Sequence, residues 1–518
     1  MSWQEEVEEI RRRLALAREM GGTEAVARQH ARGRRTVRER IEALVDPGSF
    51  REHGAMSGVS ERDAEGRLTH FTPANVVTGT GRIGGRLCVV GGDDFTLRGG
   101  AYSAIGLRKG QYADELAIRR RIPLVRLLEG GGATIRGASG VEGRSGYDLV
   151  SSSPMNLLCL EALRTVPVAC AALGPVAGFP AARLVASHFS VMTRETAQVL
   201  VGGPALVERA LGLSLTKEEL GGAAVHGRSG VVDNVAEDEA DALAQIRRFL
   251  SYLPSNVWEA PPVRPGGDPR DRREEFLLAV VPRSRRRAYR IHKILHAVLD
   301  RESFFEMGAG YGRSLVTGLA RLDGHPVGVL ANDCRFDGGS MTAPAARKLR
   351  RMVELCDAFH LPVVSFVDEP GFAIGPEAER AATIRYGMEA LFAVLQTEVP
   401  WVAVVLRRAF GVATGLHLGP GATVIAWPSV QSGALPVEGG VALAYAREIR
   451  EAPDPEARRR ELEEQVAAAQ SVFPRAEDFG VHHLIDPRDT RPVLCDWLDE
   501  VRPALALLRG PRSYSMRP

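Results

Sequence analysis

The sequence predicts an α/β protein in which one fold is written twice, and three observations carry that prediction. Adding 239 to each number from Val77 to Gly132 gives Val316 to Gly371 without a gap, and the glycines and charges stay in register. Within each copy, short β-rich runs alternate with helical ones, the pattern of strands joined by helical crossovers in a parallel sheet. A chain of 518 residues is also too long for one ordinary core. We therefore expect two tandem domains, residues 1–260 and 261–518, joined through the Pro-, Gly- and charge-rich stretch Ser251 to Asp271.

Residues 1 to about 45 read as helical and end at the turn signal Asp46-Pro47-Gly48, and the polar stretch Gly54 to Thr72 reads as loop or strand edge. The first repeat opens with the strand Val76-Val77-Thr78 and runs into Gly79-Thr80-Gly81-Arg82-Ile83-Gly84, formally a GxGxxG. A dinucleotide site needs a helix directly after that motif. Here the next residues, Gly85 to Val90, are β-rich, and the second copy (Gly318 to Gly324) has lost the pattern, so the stretch predicts a hairpin. A Gly-Gly and a lysine-bearing helix come after it in each copy, then a buried strand, Ile122 to Leu128 or Leu361 to Val367. Next come the loops Glu129-Gly130-Gly131-Gly132 and Asp368-Glu369-Pro370-Gly371, a helix, and the strands Val166 to Cys170 and Val399 to Ala403, now offset by 233. Residues 451–470, with Arg458-Arg459-Arg460 facing glutamates, read as an exposed charged helix.

Composition narrows the function classes. A formal charge of +2 gives no reason to expect nucleic acid or an anionic membrane as partner. No apolar run reaches the roughly 18 residues of a membrane helix, and Met1 to Met20 is a charged helix rather than a targeting segment. The six cysteines form no CxxC pair and sit in apolar runs, as reduced core residues do, so a cytoplasmic location is expected. The arginine clusters Arg11 to Arg13 and Arg285 to Arg287 read as solvated helix faces or as contacts to a phosphorylated ligand.

Candidate chemistry gathers where each apolar strand meets a glycine turn that should open a helix, Gly174-Pro175-Val176-Ala177-Gly178 and Ala409-Phe410-Gly411-Val412-Ala413. Such a turn presents backbone N–H groups that can hold an oxyanion, which suits enolate chemistry on a thioester. On spacing alone, a plain tight turn is the competing reading. Nothing else competes: Ser145 lacks nucleophile-elbow spacing, His482-His483 has no third ligand, no metal site is expected, and there is no Walker A sequence.

The run Arg32 to Ile41, continuing to Asp46-Pro47-Gly48-Ser49-Phe50, resembles the start of the carboxyltransferase (β) subunits of biotin-dependent acyl-CoA carboxylases. So do Asp94-Phe95-Thr96 with Gly99-Gly100, and Glu218 to Ala223 with His226 and Ser229-Gly230. The series continues through Tyr252-Leu253-Pro254, Cys356 to Phe359, Phe366-Val367-Asp368 with Pro370-Gly371-Phe372, and Ala426-Trp427-Pro428. The resemblance spans nearly the whole chain in order.

It implies two crotonase-like domains per subunit, with acyl-CoA on the N-terminal domain of one chain and biotin on the C-terminal domain of another. It further implies a homo-oligomer (dimers or a trimer of dimers) and a separate biotin carboxylase and biotin carrier chain. The turns become two oxyanion holes, with Gly178 and Phe179 in one and Gly411, Val412 and Ala413 in the other. Lys109, Arg35 and Arg38 are expected near the CoA phosphates, and Gly99, Gly100, Gly131, Gly132, Ala133 and Lys348 complete the expected ligand contacts. The family carries Gly-Gly-Ala at both turns, whereas this chain has Gly178-Phe179-Pro180 and Gly411-Val412-Ala413. These departures predict carboxyl transfer to an acyl-CoA other than acetyl or propionyl, with decarboxylation of a malonyl-type thioester or a non-catalytic scaffold role as the alternatives.

Overall fold

The computed structural model describes residues 2–132, 153–264 and 267–518. The chain divides into two compact units, Met1–Glu259 with Gly510–Pro518, and Ala260–Arg509.

The first unit begins with helices Gln4–Arg18, Thr23–His30 and Val37–Leu44. The last is fixed by a capping box, Thr36 accepting from the Glu39 N–H while Glu39 accepts from the Thr36 N–H. The stretch read as loop or strand edge forms a separate antiparallel hairpin, β2 (Gly58–Arg62) with β3 (Leu68–Pro73). The main sheet is built from β1 (Arg51–Glu52), β4 (Val76–Ile83), β5 (Arg86–Asp93), β6 (Leu124–Gly130), β7 (Val168–Ala177), β8 (Phe189–Thr193) and β10 (Asn234–Ala236), in the order β1-β4-β5-β6-β7-β8-β10. Strand β9 (Gln198–Leu200) adds to the far end of β7. The antiparallel β4–β5 pair turns at Gly84-Gly85, both at positive φ, so the GxGxxG is spent on a hairpin. From β5 onward the pairs are parallel. Every residue of β6 is buried, as expected of a strand covered on both faces.

The second unit repeats the plan with β11 (Phe305–Met307), β12 (Leu315–Leu322), β13 (His325–Asn332), β14 (Val363–Glu369), β15 (Trp401–Phe410), β16 (Thr423–Ala426) and β18 (His483–Leu484), again with a side strand, β17 (Gln431–Gly433), on β15. Strands β12, β13 and β14 begin and end 239 residues after β4, β5 and β6, and β15 and β17 lie 233 after β7 and β9. The duplication read from the sequence is thus a duplication of strand boundaries. Five cysteines are buried and Cys159 is half-buried, all as free thiols. No described helix is long and apolar enough to cross a membrane. The charged helix Pro455–Ala469 is exposed, with Arg458 pairing with Glu448 and Glu461.

Candidate active site

In the first unit, Gly174 to Ala177 are not the turn that the sequence predicts. They are the end of β7, because this stretch still pairs with β9. The chain reverses at Gly178 alone, with φ 63 and ψ −124, a conformation closed to side-chain-bearing residues. Its N–H donates to the Leu200 carbonyl at 3.1 Å. Helix Phe179–Val185 opens there. The Phe179 and Ala181 N–H groups, on either side of Pro180, have no acceptor among the described residues. Pro180, sitting in the first turn, removes no helical bond. The Phe179 ring stands edge-on to Tyr102 at 6.2 Å, so its bulk has a partner within its own unit. The glycine loops close on the same place: Gly131 N–H donates to Gly99 O at 3.2 Å, and a Cβ on Gly132 would stand 2.7 Å from Ala177 O. An apolar cavity of about 580 Å³ opens beside Gly178, walled by Ala181, Val185, Val199, Leu220 and Val231, with His226 donating to Val199 O at 2.7 Å.

The second unit makes the same turn at Gly411, with φ 64 and ψ −165 and its N–H on Gly433 O at 3.1 Å. This turn opens a helix, as the sequence predicts, but a six-residue 3-10 one, Val412–His417. The tighter coil bonds Thr414 N–H back to Gly411 O, leaving Val412 and Ala413 N–H without an acceptor among the described residues. Val412 is exposed and Ala413 buried.

Both sites rest on a buried carboxylate at the end of the central strand. Glu129 pairs with Arg34 and, at 2.5 Å, with Arg40, and accepts from Gln29 at 2.7 Å. Arg40 also holds Glu239 at 2.6 Å. The equivalent Asp368 takes Arg408 at 2.6 Å, Arg407 at 2.8 Å and the Tyr289 hydroxyl at 3.0 Å. Burial pushes the Asp368 carboxyl up, but the two guanidinium groups outweigh it and hold it below the usual carboxylate range.

The predicted ligand contacts fall in several places. Lys109 is enclosed, donating to Gly54 O at 3.1 Å, and burial pulls it down to about 8 against the pull of Glu52. Lys348 does the same for the second loop, reaching Gly308 O at 3.0 Å and Tyr311 O at 2.6 Å, and is also lowered to about 8 by burial. Each lysine therefore pins a loop of its own unit. Arg38 lies against Glu52 at 2.8 Å, beside Lys109. Arg35 is half-buried, its backbone N–H on Glu239. Gly99, Gly100, Gly131 and Gly132 join Gly178 in one backbone cluster. Ala133 and Ser145 lie outside the described residues. The paired histidine His482 accepts the Val424 N–H at 3.0 Å, a structural role. Among the described residues no His, Cys, Asp or Glu group could hold a metal ion.

A carboxyl transferase domain matches residues 28–500. The chain belongs to the carboxyl transferase family. It is 34% identical over 498 residues to the carboxyltransferase subunit of propionyl-CoA carboxylase from Haloferax mediterranei, with 95% of each covered. It is 32% identical over 523 residues to the methylmalonyl-CoA decarboxylase subunit alpha of Veillonella parvula, covering 98% of this chain and 97% of that one. Among solved structures, the transcarboxylase 12S hexamer core with methylmalonyl-coenzyme A and methylmalonic acid bound superimposes with a TM-score of 0.89 at 29% identity, over 100% of this chain and 99% of that one. Both units of this carboxyl transferase accordingly have the crotonase-like fold. Sequence reasoning missed the anchoring pairs Glu129–Arg40 and Asp368–Arg407, although the acid shared by Glu129 and Asp368 at one repeat position was a usable signal.

Proposed function

We propose that this carboxyl transferase is the subunit that moves a carboxyl group between carboxylated biotin and the α-carbon of an acyl-CoA. Biotin, carried on a separate chain, supplies the activated carboxyl group. The first unit takes the thioester. Phe179 N–H, with Ala181 N–H beside it, faces the thioester oxygen as the α-carbon gives up its proton and charge moves onto that oxygen. The acyl chain lies in the apolar cavity beside Gly178, a volume within the usual range of ligand pockets. The second unit offers Val412 and Ala413 N–H to the ureido oxygen. When bound, carboxylated biotin would give up its carboxyl group by C–N cleavage as the C–C bond forms, and its ureido nitrogen would take the α-proton.

The observation that supports this most is the turn itself: Gly178 and Gly411, 233 residues apart, hold matching strained conformations, and the next amides have no acceptor among the described residues. The start of any helix leaves its first amides free, so it is the recurrence of the same glycine turn at matching positions in both units that supports the reading. Decarboxylation of a malonyl-type thioester is the second reading, favoured by the Veillonella relative; it needs the thioester turn and not the other. Purified chain is offered propionyl-CoA, longer acyl-CoAs and their malonyl-type counterparts, with and without a biotinylated carrier. Turnover that requires the carrier supports transfer, turnover without it supports decarboxylation, and silence supports a scaffold role.

A further inference from the structure

Behind the second turn lies a buried polar cluster with no counterpart among the described residues of the first unit. Glu369, at the end of β14, is fully buried. Its Oε1 accepts the Gly371 N–H at 2.9 Å. Its Oε2 accepts from Asn332 Nδ2 at 3.1 Å and lies 3.3 Å from His417 Nε2. The His417 ring is also fully buried, and its Nδ1 lies 2.9 Å from Ser365 Oγ. One tautomer satisfies every group: Nε2–H donates to Glu369 and Nδ1 accepts from the Ser365 hydroxyl. Asn332 donates also to Gly339 O at 3.0 Å, and the His417 carbonyl accepts from Trp401 Nε1 at 2.7 Å.

One carboxylate therefore ties three segments together. They are the Gly338-Gly339 turn through Asn332, the Pro370-Gly371 loop directly, and the 3-10 helix opened by Gly411 through His417, its last residue. In the first unit the matching positions, at offsets of 239 and 233, are Gly130 and Leu184. A side chain at Gly130 has no room, since a Cβ there would lie 2.7 Å from Gly100 O. An acid and a histidine buried where their repeat partners are glycine and leucine are costly without hydrogen-bond partners, and the contact between them supplies one to each.

We propose that Glu369 and His417 are positioning residues that lock the Val412 and Ala413 amides against the Pro370-Gly371 loop, so that the second site is held in one geometry. The effect of this strut on turnover rests on the reading of that turn as an oxyanion hole, whereas its effect on backbone order does not.

The test uses the full chain with Glu369→Val, His417→Leu, the double variant, and the milder His417→Gln, read by amide hydrogen exchange and by steady-state kinetics. We expect each single variant to speed exchange about tenfold in both 370–373 and 411–418, including the segment that does not carry the substitution. Turnover should fall about ten- to a hundredfold with KM for acyl-CoA within about twofold, because the strut acts on the carboxyl-donor side. The double variant should be no worse than the poorer single one, since both remove the same link. Exchange raised only in the substituted segment, or additive losses in the double variant, overturns the proposal. If Glu369→Val does not fold, His417→Gln decides the matter by whether exchange at 370–373 rises. Coupled exchange with unchanged turnover would uphold the strut and count against the oxyanion reading.

Discussion

At Phe179 the backbone and the side chain serve different ends. The N–H has no acceptor among the described residues, while the ring is engaged with Tyr102. Phe179→Ala therefore leaves the donor in place, and Phe179→Pro removes it at a first-turn position that tolerates proline. We expect the proline variant to lose about a hundredfold in kcat and the alanine variant far less, with circular dichroism unchanged for both. Beneath the same turn, burial pushes Asp93 up to about 7 from 3.8, against the pull of Arg183 and the Tyr102 hydroxyl. The native state then holds a proton that the unfolded chain has lost, so this group makes stability fall as pH rises from about 4 to about 7. The second unit carries Asn332 at the matching position. Asp93→Asn should remove that slope, and urea midpoints at pH 4.5 and 7.5 should show the variant gaining on the parent at the higher pH.

The elements show how one fold is held by different means in its two copies. Five strands, β4, β5, β6, β7 and β9, match their repeat partners residue for residue at the two offsets, yet the central acid draws its arginines from different places. Arg407 and Arg408 lie on β15 itself, whereas Arg34 and Arg40 reach Glu129 from the N-terminal segment. The reason is visible at Gly174, the repeat partner of Arg407, where even a Cβ would strike the Glu129 side chain at 2.3 Å. The first unit therefore depends on its N-terminal segment, and Arg40→Met should destabilise it by about 3–5 kcal/mol, because Glu239 loses its guanidinium partner and Glu129 keeps only Arg34. Guanidinium denaturation should show this loss, and an unchanged midpoint would count against it. The strands, the hairpin and the glycine turns were legible in the sequence because spacing and duplication fix them. The anchoring pairs were not, since Arg40 and Glu129 are 89 residues apart and only folding brings them together. The hold of Lys109 and Lys348 on loop carbonyls was not legible either, since burial and the distant partners Gly54 and Gly308 show in no sequence pattern. The helix after Gly411 was legible but its 3-10 form was not, for a related reason: His417 in its last turn is held by Glu369, a contact between different elements.

For the whole molecule, family membership and a superposition over its full length leave two chemistries to separate, carboxyl transfer and decarboxylation. They share the first turn and differ in their need for the second. The most direct measurement incubates the full chain with methylmalonyl-CoA labelled in its free carboxyl group, with and without a biotinylated carrier protein, and follows the label. Carboxyl transfer predicts label on the carrier, release that depends on the carrier, and loss of that transfer in Val412→Pro. Labelled carbon dioxide formed at the same rate without carrier, and unaffected by Val412→Pro, would refute it.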